Sequence, residues 1–261
     1  MTSTLSGGQR QRTGAGLSPR NGHVTAIPRD CISSGCIIHE LDLCVGTRKN
    51  NTSGSDLSPF TSSSTHTISA RRTIIHPRES PEFVTIICHG WAARSIVAPD
   101  GHRQIMSFLL PGNLSSAVNF FAPISGHSVD AITDVTYRKF KQSELKAALF
   151  KYPTLLEKLS TIWVDERAQT DQLALNISRK SAHKRIAWLI LNLAKRLTKT
   201  EMVDGERIDF PLRQHHIAKA TGLTHIYVGK VLSEFQRAGL IEINNRSLRI
   251  IDKEKLRHVA G

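Results

Sequence analysis

The stretch "QHHIAKATGLTHIYVGKVLSEFQRAGLIEI", residues 214–243, decides how this chain is read. Its apolar residues recur at helical spacing, broken once at Gly222-Leu223. Two helices joined by a tight turn fit that pattern. Ala218 is small and Gly222 follows four residues later. A small residue there lets the second helix approach, and glycine tolerates the turn. Thr224 is placed as an N-cap, its hydroxyl accepting from a free backbone N–H. In the second helix Val228, Val231, Leu232 and Phe235 share one face. Ile226, Gly229, Lys230 and Ser233 lie opposite, with His225 on the first turn. Gly239 ends the helix, and "LIEI", "NNRS" and "LRII" then read as a hairpin tipped by Arg246.

A helix laid in a DNA major groove touches base edges from its N-terminal turns. Thr224, His225, Ile226 and Lys230 have that placement, within a candidate recognition helix at 224–237. Arg213 before the first helix and Arg246 on the hairpin complete the candidate DNA-binding set. Tyr227 and Arg237 are expected to flank the reading face. The bland alternative is an amphipathic helical hairpin buried in a core. The cap, the turn, the hairpin and the local charge together weigh against it.

That charge is large. The chain carries a formal +13, and from Ser178 onward seventeen Lys/Arg stand against eight Asp/Glu. Such an excess calls for a polyanionic partner, nucleic acid or an anionic membrane surface. No apolar run reaches the roughly 18 residues that span a membrane. The polar opening "MTSTLSGGQRQRTGAG" lacks the apolar segment of a secretory signal. A cytoplasmic protein is expected, with its four cysteines as thiols or ligands rather than disulfides.

Four regions follow from texture. Residues 1–66 form a polar tail, partly disordered, holding Cys31, Cys36 and Cys44. Residues 67–150 alternate short β-prone runs with turn signals: "EFVTIIC", "WAARSIVA", "PDGH", "RQIMSFLL", "PGN", "TYRKF". An antiparallel sandwich or barrel fits, followed by a short helix at "SELKAALF" with a serine start. Residues 151–177 carry a long helix. Leu159, Trp163, Glu166, Thr170, Leu173 and Ile177 recur there as the seam of a helix packed along a partner, imperfect at two polar positions. Residues 178–261 begin with a helix near Ser178, its buried face marked by Ala182, Ile186, Leu189, Ile190, Leu193 and Leu197. "VDGERIDFP" reads as a turn plus a short strand.

"FPLRQHHIAKATGLTHIYVGKVLSEFQRAGLIEINNRSLRIIDKEKL" resembles the C-terminal winged helix of the Crp/Fnr family of bacterial transcription regulators. "GHRQIMSFLLPGN" and "HSVDAITD" resemble that family's N-terminal β-roll. The resemblance spans roughly 67–257. It implies an α+β chain with an antiparallel, cyclic-nucleotide-binding-like β-roll, a dimerisation helix at 153–177 and a C-terminal winged helix-turn-helix. It also implies a homodimer on a palindromic site in double-stranded DNA, with RNA polymerase as a further partner and no membrane. The family's base-reading positions fall on His225, Ile226 and Lys230, where well-studied members carry Arg or Ser, Glu and Arg. Ile226 accepts nothing from cytosine, so the site read here should differ.

For the sensory part, the resemblance offers two ligands. The cyclic-nucleotide branch needs an acidic residue after a glycine and an Arg-Ser pair. Here Gly112 is followed by Asn113, and the pair falls on His127-Ser128. A cyclic nucleotide is therefore not expected. The Fnr branch carries an iron–sulfur cluster on four thiolates. Cys31, Cys36 and Cys44 stand ahead of the β-roll as candidate ligands, with a first gap of four residues. A fourth is expected near Arg138, where there is no cysteine, and Cys88 reads as a buried apolar thiol on a strand. The favoured expectation is no cofactor, with the iron–sulfur regulator or a ligand-binding β-roll with non-specific nucleic-acid binding as alternatives. His76, His89, His102 and His127 read as surface loop histidines rather than metal ligands.

Enzyme readings are weak. Ser181 to Lys184 and Ser143 to Lys146 both match the Ser-x-x-Lys of serine acyl-enzymes, which shows how common the pattern is. The companion Ser-Asp-Asn and Lys-Thr-Gly elements, a phosphate-binding glycine loop and a Gly-x-Ser-x-Gly elbow are absent. No enzymatic activity is expected.

Overall fold

The structure is a computed structural model that describes residues 63–80, 82–115, 124–179, 181–198, 203–204 and 207–261. The expectations for the tail, Cys31, Cys36 and Cys44 among them, lie outside the described residues.

The N-terminal half is a roll of two antiparallel sheets. One has the order β1 (Ser64–Ile68), β7 (Val135–Lys141), β3 (Phe83–His89). The other has the order β2 (Thr73–Ile75), β6 (Ser128–Ala131), β4 (Ala92–Val97), β5 (Arg103–Leu109). Between them Ile74, Ile87, Leu109, Val129 and Val135 form a buried cluster. Alternation along each strand sends such residues inward. The Pro99-Asp100-Gly101 turn joins β4 to β5: Gly101 has φ +83, and Ala98 donates to the His102 carbonyl at 2.8 Å.

Three helices follow: α1 (Gln142–Lys151), α2 (Pro153–Arg179) and α3 (Ala182–Leu197). Ser143 does not start α1; Lys141 occupies the cap and makes no side-chain cap bond. The expected new helix at Ser178 is also displaced. Ser178 still belongs to α2, and α3 begins after Ser181, whose hydroxyl accepts from the Lys184 N–H. That bond gives the Ser-x-x-Lys match at 181–184 a capping role.

The predicted seam of α2 is real but faces inward. Leu159 and Leu173 are buried, and Trp163, Glu166, Thr170 and Ile177 are half-buried. Leu159 packs on the roll, and Glu166 pairs with Arg94 of β4 at 3.0 Å. The stripe expected to meet a partner is therefore the side that docks on the chain's own sheets. The charge at the seam answers a buried arginine.

The remainder is a winged helix. α4 (Gln214–Thr221) and α5 (His225–Arg237) pack on α3, which also carries α6 (Lys253–Ala260). A four-stranded sheet of order β10-β11-β9-β8 flanks them, from β8 (Val203–Asp204), β9 (Arg207–Asp209), β10 (Ile241–Asn244) and β11 (Ser247–Ile250). "VDGERIDFP" thus holds two short strands rather than one. The predicted inner face of α3 holds: Ile186, Leu189, Ile190, Leu193 and Leu197 are buried, with Ala182 half-buried at the rim.

The two halves share a core. Trp91, Ile105, Phe108 and Leu110 from the roll lie in one cluster with Leu193, Phe210, Val231 and Phe235 of the winged helix. Burying each large side chain is worth about 1.5–3 kcal/mol. The winged helix is therefore docked on the β4–β5 sheet by an apolar contact.

Candidate nucleic-acid interface

The turn between α4 and α5 has the expected construction. Gly222 takes φ +68, and Leu223 N–H returns to the Ala218 carbonyl at 3.1 Å. Thr224 caps α5, its hydroxyl accepting from the Tyr227 N–H at 3.3 Å. Val228, Val231, Leu232 and Phe235 are buried, as their spacing requires.

The opposite face is open. Thr224, His225, Lys230 and Ser233 are exposed, and Ile226 is 74% exposed. Large apolar side chains are normally buried. Arg237 is exposed too, and Ile226, Lys230, Ser233 and Arg237 follow at steps of four, three and four. Arg237 thus continues the face at the far end rather than flanking it. Gly229 is where Gln214 of α4 closes in: an added Cβ would stand 2.9 Å from its amide nitrogen.

Arg213 and Arg246 lie off α5. Both line a cleft of about 960 Å³ between the roll and the winged helix. Arg71, Arg103, His215 and Lys219 also line it. His215 titrates below its ordinary value, first through burial and then through Lys219, Arg213 and Arg71. Sequence reading missed His215 and Lys219, which share α4 with the Arg213 cap, and missed Arg71 because only the docking of the two halves brings it to them.

Further bonds hold the helices in register. His183 of α3 bonds Glu234 of α5 at 2.7 Å. That bond is the main reason the Glu234 carboxyl sits below the usual range. His216 Nδ1 accepts from the Arg213 N–H at 3.1 Å at the start of α4. Burial holds His216 at about 4, so the nitrogen stays free to accept.

The sensory positions take other roles. Asn113 Oδ1 accepts from Leu110 N–H at 3.0 Å and from Arg196 at 2.9 Å. Ser128 lies in a network with Ser95, Arg103 and Asp130. His127 is buried, not in a surface loop, and desolvation followed by Arg94 lowers it to about 4. A neutral buried histidine and a carboxamide committed to an arginine do not supply the anion cradle of a cyclic nucleotide. His76, His89 and His102 are exposed, and Cys88 is half-buried rather than buried. Among the described residues no group of His, Cys, Asp or Glu could hold a metal, and no helix is long and apolar enough to cross a membrane.

Residues 184–259 match the model of the Crp-like helix-turn-helix domain. Those residues form a Crp-like helix-turn-helix domain, and the rest of the chain is similar to regulators of the Crp/Fnr family. Among curated Crp/Fnr proteins the chain is 28% identical over 168 residues to the nitrogen fixation regulation protein FixK of Bradyrhizobium diazoefficiens, covering 62% of this chain and 68% of that one. It is 26% identical to the transcriptional activator FnrL of Cereibacter sphaeroides, over 74% of this chain and 78% of that one. The fold matches the solved structure of FixK2 from Bradyrhizobium japonicum with a TM-score of 0.70 at 22% identity, over 76% of this chain and 98% of that one. The likeness is to regulators of the FixK and Fnr type.

Proposed function

We propose that this Crp/Fnr regulator works as a homodimer that reads a two-fold symmetric promoter site with α5. The observation that carries the reading is the capped, exposed face of α5, with His225, Ile226 and Lys230 in its first turns. His225 and Lys230 supply donors to base edges, and Ile226 supplies an apolar contact. Arg213 and Arg246 supply charge to phosphates beside the groove, which position the helix without reading sequence. RNA polymerase is the onward partner in this reading, and a cytoplasmic location goes with it. The roll is read as working without a cyclic nucleotide, because Asn113 and His127 are already engaged within the fold.

The test is selection of bound DNA from a random pool, followed by footprinting. The wild-type protein should recover a pseudo-palindrome with half-sites about 34 Å apart. Replacing His225 and Lys230 together by alanine should cut preference over random DNA by roughly 10–100-fold or more. Binding to any DNA at low salt should survive. An unchanged footprint in the double variant would remove the assignment.

A further inference from the structure

A second cavity lies away from the DNA face, between α2, α3 and β5. It encloses about 40 Å³ and reaches the C-terminal end of α4. Leu173, Trp188, Leu189 and Phe108 supply apolar wall. Asn176 lines the same space. It is 2% exposed, and among the described residues neither its amide nitrogen nor its oxygen has a hydrogen-bond partner. A buried carboxamide with both ends unmade is costly, and native structures rarely leave one so.

The cavity also has a charge to be answered. Arg196 lines it, beside Arg185, and among the described residues none that lines it is acidic. Arg196 donates to the Phe108 carbonyl at 2.6 Å and to Asn113 at 2.9 Å. Among the described residues no carboxylate pairs with it. Burial, with Arg94 nearby, pulls its pKa down to about 10. Buried guanidinium groups are ordinarily matched by an anion. Water could satisfy Asn176, but it would leave that charge unmatched.

We propose that this cavity binds a small organic carboxylate. Arg196, with Arg185 as the second cation of the lining, meets the carboxylate, Asn176 bonds one of its oxygens, and the walls take a short apolar tail. The volume equals roughly three water-sized spaces, which suits an acid of about four to six non-hydrogen atoms. The place of the cavity gives the ligand a consequence. Arg185 donates to the Thr221 carbonyl at 3.1 Å, and Gln104 of β5 donates to the Ala220 carbonyl at 3.3 Å. Those carbonyls end α4, immediately before the turn into α5. A ligand that tightens this junction favours one docking of the winged helix on the roll. This regulatory consequence rests on the DNA-binding reading; the binding itself does not.

The full-length protein is titrated with propionate while its melting temperature and its tryptophan fluorescence, to which Trp188 contributes, are followed, without DNA. Propionamide and nitrate are the controls: one keeps the tail without the charge, the other the charge without the tail. A saturable response to propionate is expected, with half-saturation on the order of 1 mM, within reach of a ligand of about five non-hydrogen atoms. Neither control should reproduce it. Asn176→Asp, which sets a negative charge beside the carboxylate, should abolish the response. Asn176→Leu should melt no lower than wild type and should also lose it. Equal responses to propionamide or nitrate, no saturable response to propionate, or a wild-type response in Asn176→Leu would each overturn the proposal. A DNA affinity that changes at least about threefold with saturating propionate supports the coupling. Propionate binding without that change overturns the regulatory part alone, and a failed footprint in the absence of propionate bears only on the DNA-binding reading.

Discussion

Arg246 stands at the tip of the wing with φ +64, after Asn245 at φ +46. A two-residue hairpin turn of this kind needs positive φ at both central positions, which suits asparagine and glycine and strains arginine by about 1–2 kcal/mol. The wing accepts that strain where a cation is useful, and strained residues often mark functional sites. Arg246→Asn should separate the two effects. The wing should hold or gain up to about 1 kcal/mol, since asparagine tolerates this backbone. Affinity for DNA should fall on all sequences alike, and the slope of log K against log salt should lessen by about 1. A loss of sequence preference with an unchanged slope would assign Arg246 to base reading instead.

At the scale of elements, the helix-turn-helix was legible because its signals are local. A cap lies three residues from its donor, the turn is set by one glycine, and the buried face of α5 follows from helical period alone. The seam of α2 was legible as a stripe but not as to what it faces, because Arg94 lies about seventy residues upstream of Glu166 in the chain and only the fold brings them together. Arg71 was hidden for the same reason, as were the burial of His127 and the orphaned Asn176. The start of α4 carries a signal that sequence reading passed over. Arg213 and His216 form a capping arrangement in which a histidine takes the place usually held by Glu or Gln. His216 is held at about 4, below its ordinary 6.5, mainly by burial. The unfolded chain therefore takes up the proton first as the pH falls. The stability this residue contributes is complete above pH 6.5 and is lost between 6.5 and 4. His127, shifted the same way, adds to that slope. Urea melts at pH 7, 5.5 and 4.5 should show wild type weakening across this window. His216→Gln, which can accept the same bond without titrating, should reduce the loss by about 1 kcal/mol, a figure discounted for the residue's partial exposure. Identical slopes in the two proteins would show that the cap does not sense the proton.

On the scale of the whole molecule, the inward turn of the seam leaves a different face of α2 for a second copy. The helix has 27 residues, about 40 Å of length. Leu156 is 47% exposed, Val164 67% and Leu175 42%. Val164 and Leu175 lie on one side of the helix, away from Glu166 and Leu173, which meet the roll, and Leu156 stands at the edge of that side. Three large apolar residues left open along one long helix form a self-complementary strip when two copies align about a two-fold axis. A symmetric DNA site needs that axis, since one winged helix covers one half-site. Val164→Asp would set two carboxylates at the middle of the strip, where burial and mutual repulsion oppose association. Sedimentation should show a dimer for wild type in the micromolar range, and the dissociation constant should rise at least about 100-fold in the variant, a change near 2.7 kcal/mol. Binding to the full palindrome should fall with it, while binding to an isolated half-site should match wild type, because Val164 is remote from α5. A Val164→Asp protein that stays dimeric and holds the palindrome with wild-type affinity would move the dimer contact off this strip.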